Sequence, residues 1–478
     1  MKNDTFGFFL RDLREQNGLS QSQLGRLAGV SDKAVSKWEN DTARPQSRLL
    51  YRLASVLGVT VDELLSCRRR PPENKGEGVC KMKDGLWKQA HHALRVRYGE
   101  ALPVGVLNRY LSEFEALRMT DAILCFELLR RISVRAAETG EHVRAKGAIG
   151  SSFIAFVMGA TEVNPLKAHT FCPNCRRFEW AGGVRCGWDI PEKRCACGTP
   201  LLRDGHDVPF APLQETVHCL RLDLSVSYGG CKTVRETVRS FFADVPVVTL
   251  RRKAYPKLET LVAVTENIPG LTDGQTLPFE EYGILLRNCP AVTLMPDADL
   301  DALRRLEADT GISCRAAVFA VPEVLEAVRA GETQGVPELC SAQFRAILGT
   351  SPSPTFHDVI QALGLLHGGG DTHDGLPLAD AVAYRDDIFT KIQSRMDGPS
   401  GFAYKVMHDV SRGVYARGGM SAELQKQLSA LGFDERFTNS LAESRFMYPK
   451  AHGVLYARYA LLFLYFRLHY PESFQKRM

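Results

Sequence analysis

The stretch that most limits how this chain can fold is "LSQSQLGRLAGVSDKAVSKWEN", residues 19–40. Its apolar spacing predicts two short amphipathic helices, with Ser31 as the N-terminal cap of the second. The small residues Ala28-Gly29-Val30 predict a tight turn that lets the two helices cross steeply. Val35 and Trp38 would face a core. The residues left on the outer face of the second helix are Asp32, Lys33, Ser36 and Lys37.

With its flanks "FLRDLREQ" and "RPQSRLLYRLASVLGVTVDELL", this segment resembles the lambda-repressor/Cro-like (XRE-type) helix-turn-helix family, an all-α five-helix domain. The resemblance implies that the second helix enters the major groove of double-stranded DNA. The residues that it implies at the DNA are Gln21, Gln23, Ser31, Asp32, Lys33, Ser36 and Lys37. Asp41 departs from the glycine usual in the family, although aspartate tolerates left-handed backbone angles. A helical bundle without a DNA role is the alternative, and dimerisation, usual on paired half-sites, is not visible in the sequence.

A cysteine-rich insert follows further along, "FCPNCRRFEWAGGVRCGWDIPEKRCACGTP". Cys172 and Cys175 form one pair and Cys195 and Cys197 a second, on turns rich in proline and glycine. Four thiolates from two such turns suit tetrahedral zinc in a structural role. Cys186, between the pairs, could replace one member, and a set of unligated buried thiols is the alternative.

A second resemblance rests on an ordered set of motifs. They are "YGEALP", "AKGAIGSSFIAFVMGATEVNPL", "CPNC", "CGTPLLRDGHDVPF", "GVPELCSAQF", "YRDDIF" and "MYPKAHGVLYARYALLFLYFRLHYP". Together they resemble the polymerase core of the PolC-type DNA polymerase III alpha subunit. The resemblance implies an α+β body with a polymerase-beta-type palm, a zinc-knuckle insert and helical fingers.

The predicted domain organisation combines both resemblances with a charged Pro/Gly-rich stretch after the head. Its segments are a helix-turn-helix domain (1–66), a linker (67–85), a thumb- and palm-like start with a Gly/Ser loop (86–170), the zinc-knuckle insert (171–198), a degenerate palm (199–300) and a helical fingers-like region (301–478). Part of the family's fingers is expected to be missing before "LPFEEYGILL".

The Gly/Ser loop of the family cradles the incoming triphosphate, because successive backbone N–H groups form a nest for anions. The residues that match it are Lys146, Gly147, Gly150, Ser151 and Ser152. A plain helix N-terminus is the alternative interpretation of this loop.

The strand "HCLRLDLSVS", residues 218–227, alternates apolar and polar residues, as a half-buried strand does. The family holds two Mg²⁺ ions with an Asp-x-Asp pair on this strand and one Asp on a neighbouring strand. The pair falls on Cys219 and Arg221, and the third position falls near Thr293. Because two-metal phosphoryl transfer needs clustered carboxylates, no catalytic residue is predicted, and Mg²⁺ is expected only if other acids such as Asp223 have taken over.

These observations predict a multidomain protein that binds double-stranded DNA through its head. The body is expected to be a catalytically dead scaffold for primer-template DNA or a replisome component. Two alternatives stay open, a minimal DNA polymerase with relocated acids and a decoy that competes for replisome partners. The net charge of +5 permits a nucleic-acid partner. With no secretion signal or membrane-spanning run, a cytoplasmic, nucleoid-associated bacterial protein is expected.

Overall fold

The computed structural model describes most of the chain. The described residues are 5–16, 19–28, 30–45, 49–50, 53, 57, 64–65, 67, 77–118, 120–210, 221–253, 255–264, 271–277, 289–315, 319–368, 377–398 and 400–476. The chain divides into two compact units, Met1–Gly85 and Leu86–Met478. An all-α head and an α+β body match the predicted fold class.

The head contains three fully described helices, α1 (Phe6–Gln16), α2 (Gln21–Ala28) and α3 (Asp32–Glu39). Described leucines between residues 49 and 65 are helical as well. Their side chains join a single core whose fully buried members include Leu10, Leu13, Leu24, Val35, Leu53 and Leu64. The i, i+3 and i, i+4 spacing of these residues explains why each helix buries only one face.

The segment predicted to be a linker is partly helical. Helix α4 (Glu77–Tyr98) includes residues 77–85 of that segment, and residues 68–76 lie outside the described part of the chain. The helices that follow before the first strand are α5 (Val104–Leu117) and α6 (Ala122–Glu138).

The body is organised around a six-stranded mixed sheet. Its strands are β1 (Val143–Ala145), β5 (Arg221–Val226), β6 (Val247–Arg252), β7 (Tyr255–Ala263), β8 (Thr276–Leu277) and β9 (Ala291–Pro296), in the spatial order β1-β5-β9-β7-β6-β8. Strands β5 and β9 run parallel, while β1 and β7 pair with them antiparallel. The strand predicted from alternation at 218–227 is thus present as β5.

Along β5 this sheet has an apolar face and a polar face, and further across the sheet the second face also carries the buried residues Leu250, Val262 and Ala291. Leu222, Leu224 and Val226 of β5 are buried in a core that also contains residues of α6 and of α8 (Gly230–Phe241). Because neighbouring strand residues point to opposite faces, Arg221, Asp223 and Ser225 of β5 lie on the other face.

A separate three-stranded antiparallel sheet carries the cysteine insert. Its strands are β2 (His169–Phe171), β3 (Phe178–Trp180) and β4 (Leu202–Asp204), in the order β3-β2-β4. The short helix α7 (Phe153–Val157) precedes it.

After β9 the described residues form helices. They are α9 (Ala298–Thr310), α10 (Pro322–Arg329), α11 (Ala342–Leu348), α12 (Phe356–His367), α13 (Arg385–Gln393), α14 (Gly401–Ser411), α15 (Val414–Gly418), α16 (Ala422–Ala430), α17 (Glu435–Glu443), α18 (Lys450–His469) and α19 (Pro471–Lys476). Helix α18 is buried along most of its length and packs on α12. Among the described helices, none is long and apolar enough to cross a membrane.

Two sequence motifs meet where α13 begins beside α18. The N–H of Lys450 donates to Asp386 Oδ2 at 2.7 Å, and the Tyr384 hydroxyl donates to the carbonyl of Ile360. A Cβ atom at Gly453 would clash with the Tyr384 ring, so only glycine fits there. These contacts join "YRDDIF" to "YPKAHG".

Candidate functional site

The proposed recognition helix of the head, α3, begins where the sequence predicts. Ser31 Oγ accepts a hydrogen bond from the N–H of Ala34 at 3.3 Å, and Val35 and Trp38 are buried. On the other face, the exposed residues are Asp32, Lys33 and Lys37, and the half-buried residue is Ser36. The helix therefore presents two lysines, a carboxylate and a hydroxyl on one surface.

Glu39 anchors this helix from its last turn. Arg14 Nε and Nη2 donate to the two carboxylate oxygens of Glu39 at 2.6 and 3.0 Å, and Gln21 Nε2 donates at 2.8 Å. Burial acts to raise the pKa of Glu39, but the hydrogen bonds from Arg14 and Gln21 outweigh it, so this pKa lies below its ordinary value. The Gln21 amide, predicted to contact phosphate, thus has a partner inside the head. The side chain of Gln23 lies outside the described residues.

Asp41 shows why the head tolerates a residue other than glycine after α3. It adopts a left-handed φ of 54°, and its Oδ1 accepts a hydrogen bond from the N–H of Gly7 at 2.9 Å. The carboxylate satisfies a free N–H in the first turn of α1, which a glycine could not do. This departure from the family pattern therefore links α1 to the end of α3.

The four predicted zinc ligands in the body converge. The Sγ atoms of Cys172, Cys175, Cys195 and Cys197 all lie within 4.8 Å of one another. Cys172 Sγ lies 3.5 Å from Cys197 Sγ, and Cys175 Sγ lies 3.4 Å from Cys195 Sγ. Thiolates bound to one tetrahedral zinc ion are separated by about 3.8 Å, given bonds of about 2.3 Å. The residues present therefore fit a four-thiolate zinc site.

Tight turns position these thiols. The N–H of Cys175 donates to Cys172 Sγ at 3.4 Å, and the chain leaves each cysteine pair through a left-handed residue, Arg176 (φ 63°) or Gly198 (φ 84°). Hydrogen bonds from the side chain and backbone of Thr199 lower the pKa of Cys197 to about 5. In contrast, although the backbone N–H of Cys197 acts to lower it, the hydrogen bond with Cys175 raises the pKa of Cys195 to about 11. Cys197 is therefore the thiol of this cluster that most readily supplies thiolate, the form of cysteine that binds metals.

Cys186, the alternative ligand, lies elsewhere. Its Sγ is 3.5 Å from Nδ1 of His206, and the ring of Trp188 meets the His206 ring edge-on at 4.5 Å between centroids. Burial lowers the pKa of His206 to about 4, so this histidine is neutral near pH 7. Cys186 and His206 therefore contribute to a buried packing contact that is separate from the four-cysteine cluster.

The Gly/Ser loop is folded against a buried carboxylate that sequence reasoning missed. Glu113 of α5 is fully buried, and it accepts hydrogen bonds from Ser152 Oγ at 2.8 Å and from the next two backbone N–H groups at 3.0 and 3.1 Å. Gly150 and Ser151 are buried too. These groups of the predicted phosphate nest are thus closed to an outside anion. The available signal was a carboxylate in the apolar i, i+4, i+7 series of α5.

The other end of the loop is more open. Lys146 and Gly147 are half-buried, and the N–H of Gly147 donates to His452 Nδ1 at 3.3 Å. Burial and then the charge of Arg144 lower the pKa of Lys146. Arg144 Nη2 itself donates to Asp297 Oδ2 at 2.7 Å. This part of the loop retains cations, and only it stays a candidate for phosphate.

The polar face of the sheet contains positions at which the PolC resemblance implies metal-binding acids. Thr293 of β9 pairs directly with Asp223 of β5, and Thr260 of β7 lies on its other side. Thr260 Oγ1 donates to Thr293 Oγ1 at 3.3 Å. Arg221 is exposed at the start of β5, and Cys219 lies outside the described residues. Within the described strands of this sheet, Asp223 is the only carboxylate on this face.

Comparisons with known proteins agree with this division of the chain. A helix-turn-helix family model matches residues 10–64. A "DNA polymerase III PolC-type" of Thermotoga petrophila is 25% identical over 459 residues, which cover 79% of this chain and 33% of the relative. The Staphylococcus aureus (strain MW2) protein of the same description is 25% identical over 463 residues, covering 79% and 32%.

The chain spans about a third of the length of the curated relatives that it matches. Residues 10–64 are therefore similar to the helix-turn-helix family, and most of the chain is similar to PolC-type DNA polymerase III.

Proposed function

We propose that this protein binds specific DNA sequences through its head, in a regulatory role, and that its PolC-like body is a non-catalytic scaffold for nucleic acid or a replication partner. The observation that carries the proposal is the contrast between the exposed basic face of α3 and the acid-poor polar face of the sheet. Under this proposal, the protein acts in the bacterial cytoplasm, at the nucleoid.

The chemistry of α3 supports the first half. Lys33 and Lys37 lie one helical turn apart on the exposed face, where an ammonium group can contact a phosphate or a guanine edge. Ser36 lies between them and adds a hydroxyl. The buried pair of Glu39 and Arg14 holds this helix on α1, so the surface is preorganised.

Charge distribution on the sheet supports the second half. Two-metal catalysis needs several carboxylates that together hold two Mg²⁺ ions about 4 Å apart. Asp223 faces Thr293 across the strand pair, and Arg221 follows on the same face at the start of β5. A guanidinium group beside one carboxylate repels a second cation, because like charges are costly at short range.

Zinc at the four cysteines is part of the proposal. Cys172, Cys175, Cys195 and Cys197 would hold one ion, which would tie the two turns of the insert together. Since all four positions would be taken by protein thiolates, the ion would be structural.

The test of the head is selection of bound sequences from random duplex DNA, followed by titration of the selected site. Lys33→Ala and Lys37→Ala should each weaken binding by about 5- to 150-fold, the range for loss of a base contact. Each should also reduce the salt slope by about 1 if the lost contact is to phosphate. Lys232→Ala, which removes an exposed lysine on α8 of the body, is the matched control and should change neither. Equal binding by all four proteins would refute DNA recognition by α3.

The test of the body is primer extension with Mg²⁺ or Mn²⁺. The proposal expects no incorporation by the full chain. Incorporation that Asp223→Asn abolishes would instead establish the alternative, a minimal polymerase built on relocated acids. Binding of primer-template by the Lys33→Ala/Lys37→Ala double variant, with a clear salt slope, would support a nucleic-acid role for the body. A flat slope would leave a protein partner as the ligand of the scaffold.

A further inference from the structure

A second cluster of metal-ligating side chains lies outside the cysteine insert. His142 precedes β1, Glu307 lies in the last turn of α9, and Cys314 follows that helix after a tight turn. Their ligand atoms, an imidazole nitrogen, a carboxylate oxygen and a sulfur, all lie within 4.8 Å of one another. His142 Nε2 is 2.8 Å from Glu307 Oε2.

The backbone holds these residues in place independently of their side chains. The carbonyl of His142 accepts a hydrogen bond from the N–H of Ser227 at 3.0 Å. Gly311 ends α9 with a left-handed φ of 69°, which turns the chain back toward Glu307. Arg458 Nη2 donates to the carbonyl of Cys314 at 3.2 Å. The arrangement therefore does not depend on an ion to bring distant segments together.

The three side chains of this cluster differ in how far they are exposed to solvent. The side chain of His142 is 12% exposed and that of Glu307 is 32% exposed, while Cys314 is buried. One face is thus partly open to solvent, and the sulfur lies on the closed side. Val143 and Arg315, the chain neighbours of His142 and Cys314, line an open cavity of about 840 Å³.

The ligand types discriminate among metal ions. Sulfur and imidazole nitrogen favour zinc and similar late transition ions, while Mg²⁺ and Ca²⁺ prefer oxygen alone. Tetrahedral zinc with three protein ligands leaves its fourth position open. Ligand atoms around such an ion are about 3.5 Å apart, so the three side chains need to move little from their present separations.

We propose that His142, Glu307 and Cys314 bind one zinc-type divalent ion, with water or a small anion in the fourth position. Binding forms one bond each from the ion to nitrogen, oxygen and sulfur, and the Cys314 thiol releases its proton to solvent. The imidazole proton that faces Glu307 moves to the other ring nitrogen. The ion ties the edge of the sheet before β1 to the end of α9.

Metal analysis of the full chain tests this proposal. The wild-type protein, saturated with zinc and passed through a desalting column, should retain two zinc ions per chain, one in each cluster. Cys314→Ser and His142→Ala should each retain one, and Cys340→Ser, which alters an exposed cysteine outside both clusters, should retain two. Equal zinc content in the wild-type protein and the Cys314→Ser variant would overturn the proposal.

Cobalt substitution gives a second reading that needs no variant. Each thiolate bound to Co²⁺ contributes sulfur-to-metal charge-transfer absorbance, so the four-cysteine cluster and the mixed cluster differ in intensity. Titration of the metal-free chain should show two saturating phases, with the phase for the mixed cluster about one quarter as intense as the phase for four thiolates. Saturation with no cobalt bound beyond the four-thiolate site would refute the second site, even if the substituted proteins failed to fold. The total of two ions rests on the proposed zinc at the four cysteines, and Cys172→Ser separates the two sites: if only the four-cysteine site failed, the wild-type protein and Cys172→Ser would each retain one ion and Cys314→Ser none.

Discussion

The cysteine insert and the polar face of the sheet belong to the same body, yet they differ in the metal-binding side chains that they contain. In the insert, the sulfur atoms of four thiols all lie within 4.8 Å of one another. On the sheet, Asp223 faces a threonine where the PolC resemblance implies an acid. Among the described residues, the insert thus carries a cluster that fits a structural metal ion, while the polar face of the sheet strands carries Asp223 as its one carboxylate.

Disruption of the cysteine cluster is expected to have the largest effect. Cys172→Ser should lose one zinc ion and destabilise the body by several kcal/mol, because the free energy of structural zinc binding contributes to folding. Metal content and urea unfolding measure both effects, with Cys340→Ser as the control. Unchanged unfolding after zinc loss would show that the three-stranded sheet is stable without the ion.

The next largest effect is expected at Glu113. Glu113→Gln removes the charge that Arg109 Nε and the loop N–H groups share, and it should cost about 3 kcal/mol, as for a broken buried ion pair. Urea unfolding measures this cost. Ser152→Ala, which removes one hydrogen bond to the same carboxylate, should cost about 1 kcal/mol. An unchanged free energy of unfolding in the Glu113→Gln variant would mean that the loop is held by packing alone.

A second carboxylate on the polar face of the sheet is expected to increase its affinity for divalent metal ions. Thr293→Asp places a second carboxylate opposite Asp223 and should raise Mn²⁺ affinity at least about tenfold, or about 1.4 kcal/mol. Thr293→Asn has the same shape without the charge and should leave the affinity unchanged. Electron paramagnetic resonance of free Mn²⁺ distinguishes the two variants. No gain would mean that Arg221 or Lys146 repels the ion too strongly.

The smallest effect is expected for Asp223→Asn. Asp223 has an exposed position on β5, so its substitution should change the free energy of unfolding by less than about 0.5 kcal/mol. Thermal unfolding checks this. A large change would show that Asp223 has a structural role on this face.

Local pattern sufficed where the residues of a feature are close in sequence. The Ser31 cap, the buried face of α3, the alternation of β5 and the four cysteines follow from spacing over a few residues. Long-range contacts escaped prediction, since no local pattern encodes them. The bonds from Glu113 to the loop and the approach of His142 to Glu307 are of this kind.

The close contact between Gly453 and Tyr384 bears on what a match to the PolC motifs can indicate. Tyr384 fills the space that a side chain at Gly453 would occupy, and Asp386 caps the helix that begins at Lys450. The two motifs are thus held together by a steric fit and a buried hydrogen bond, neither of which involves the acids on the sheet. Matches in "YRDDIF" and "YPKAHG" therefore indicate shared packing and do not indicate catalytic activity.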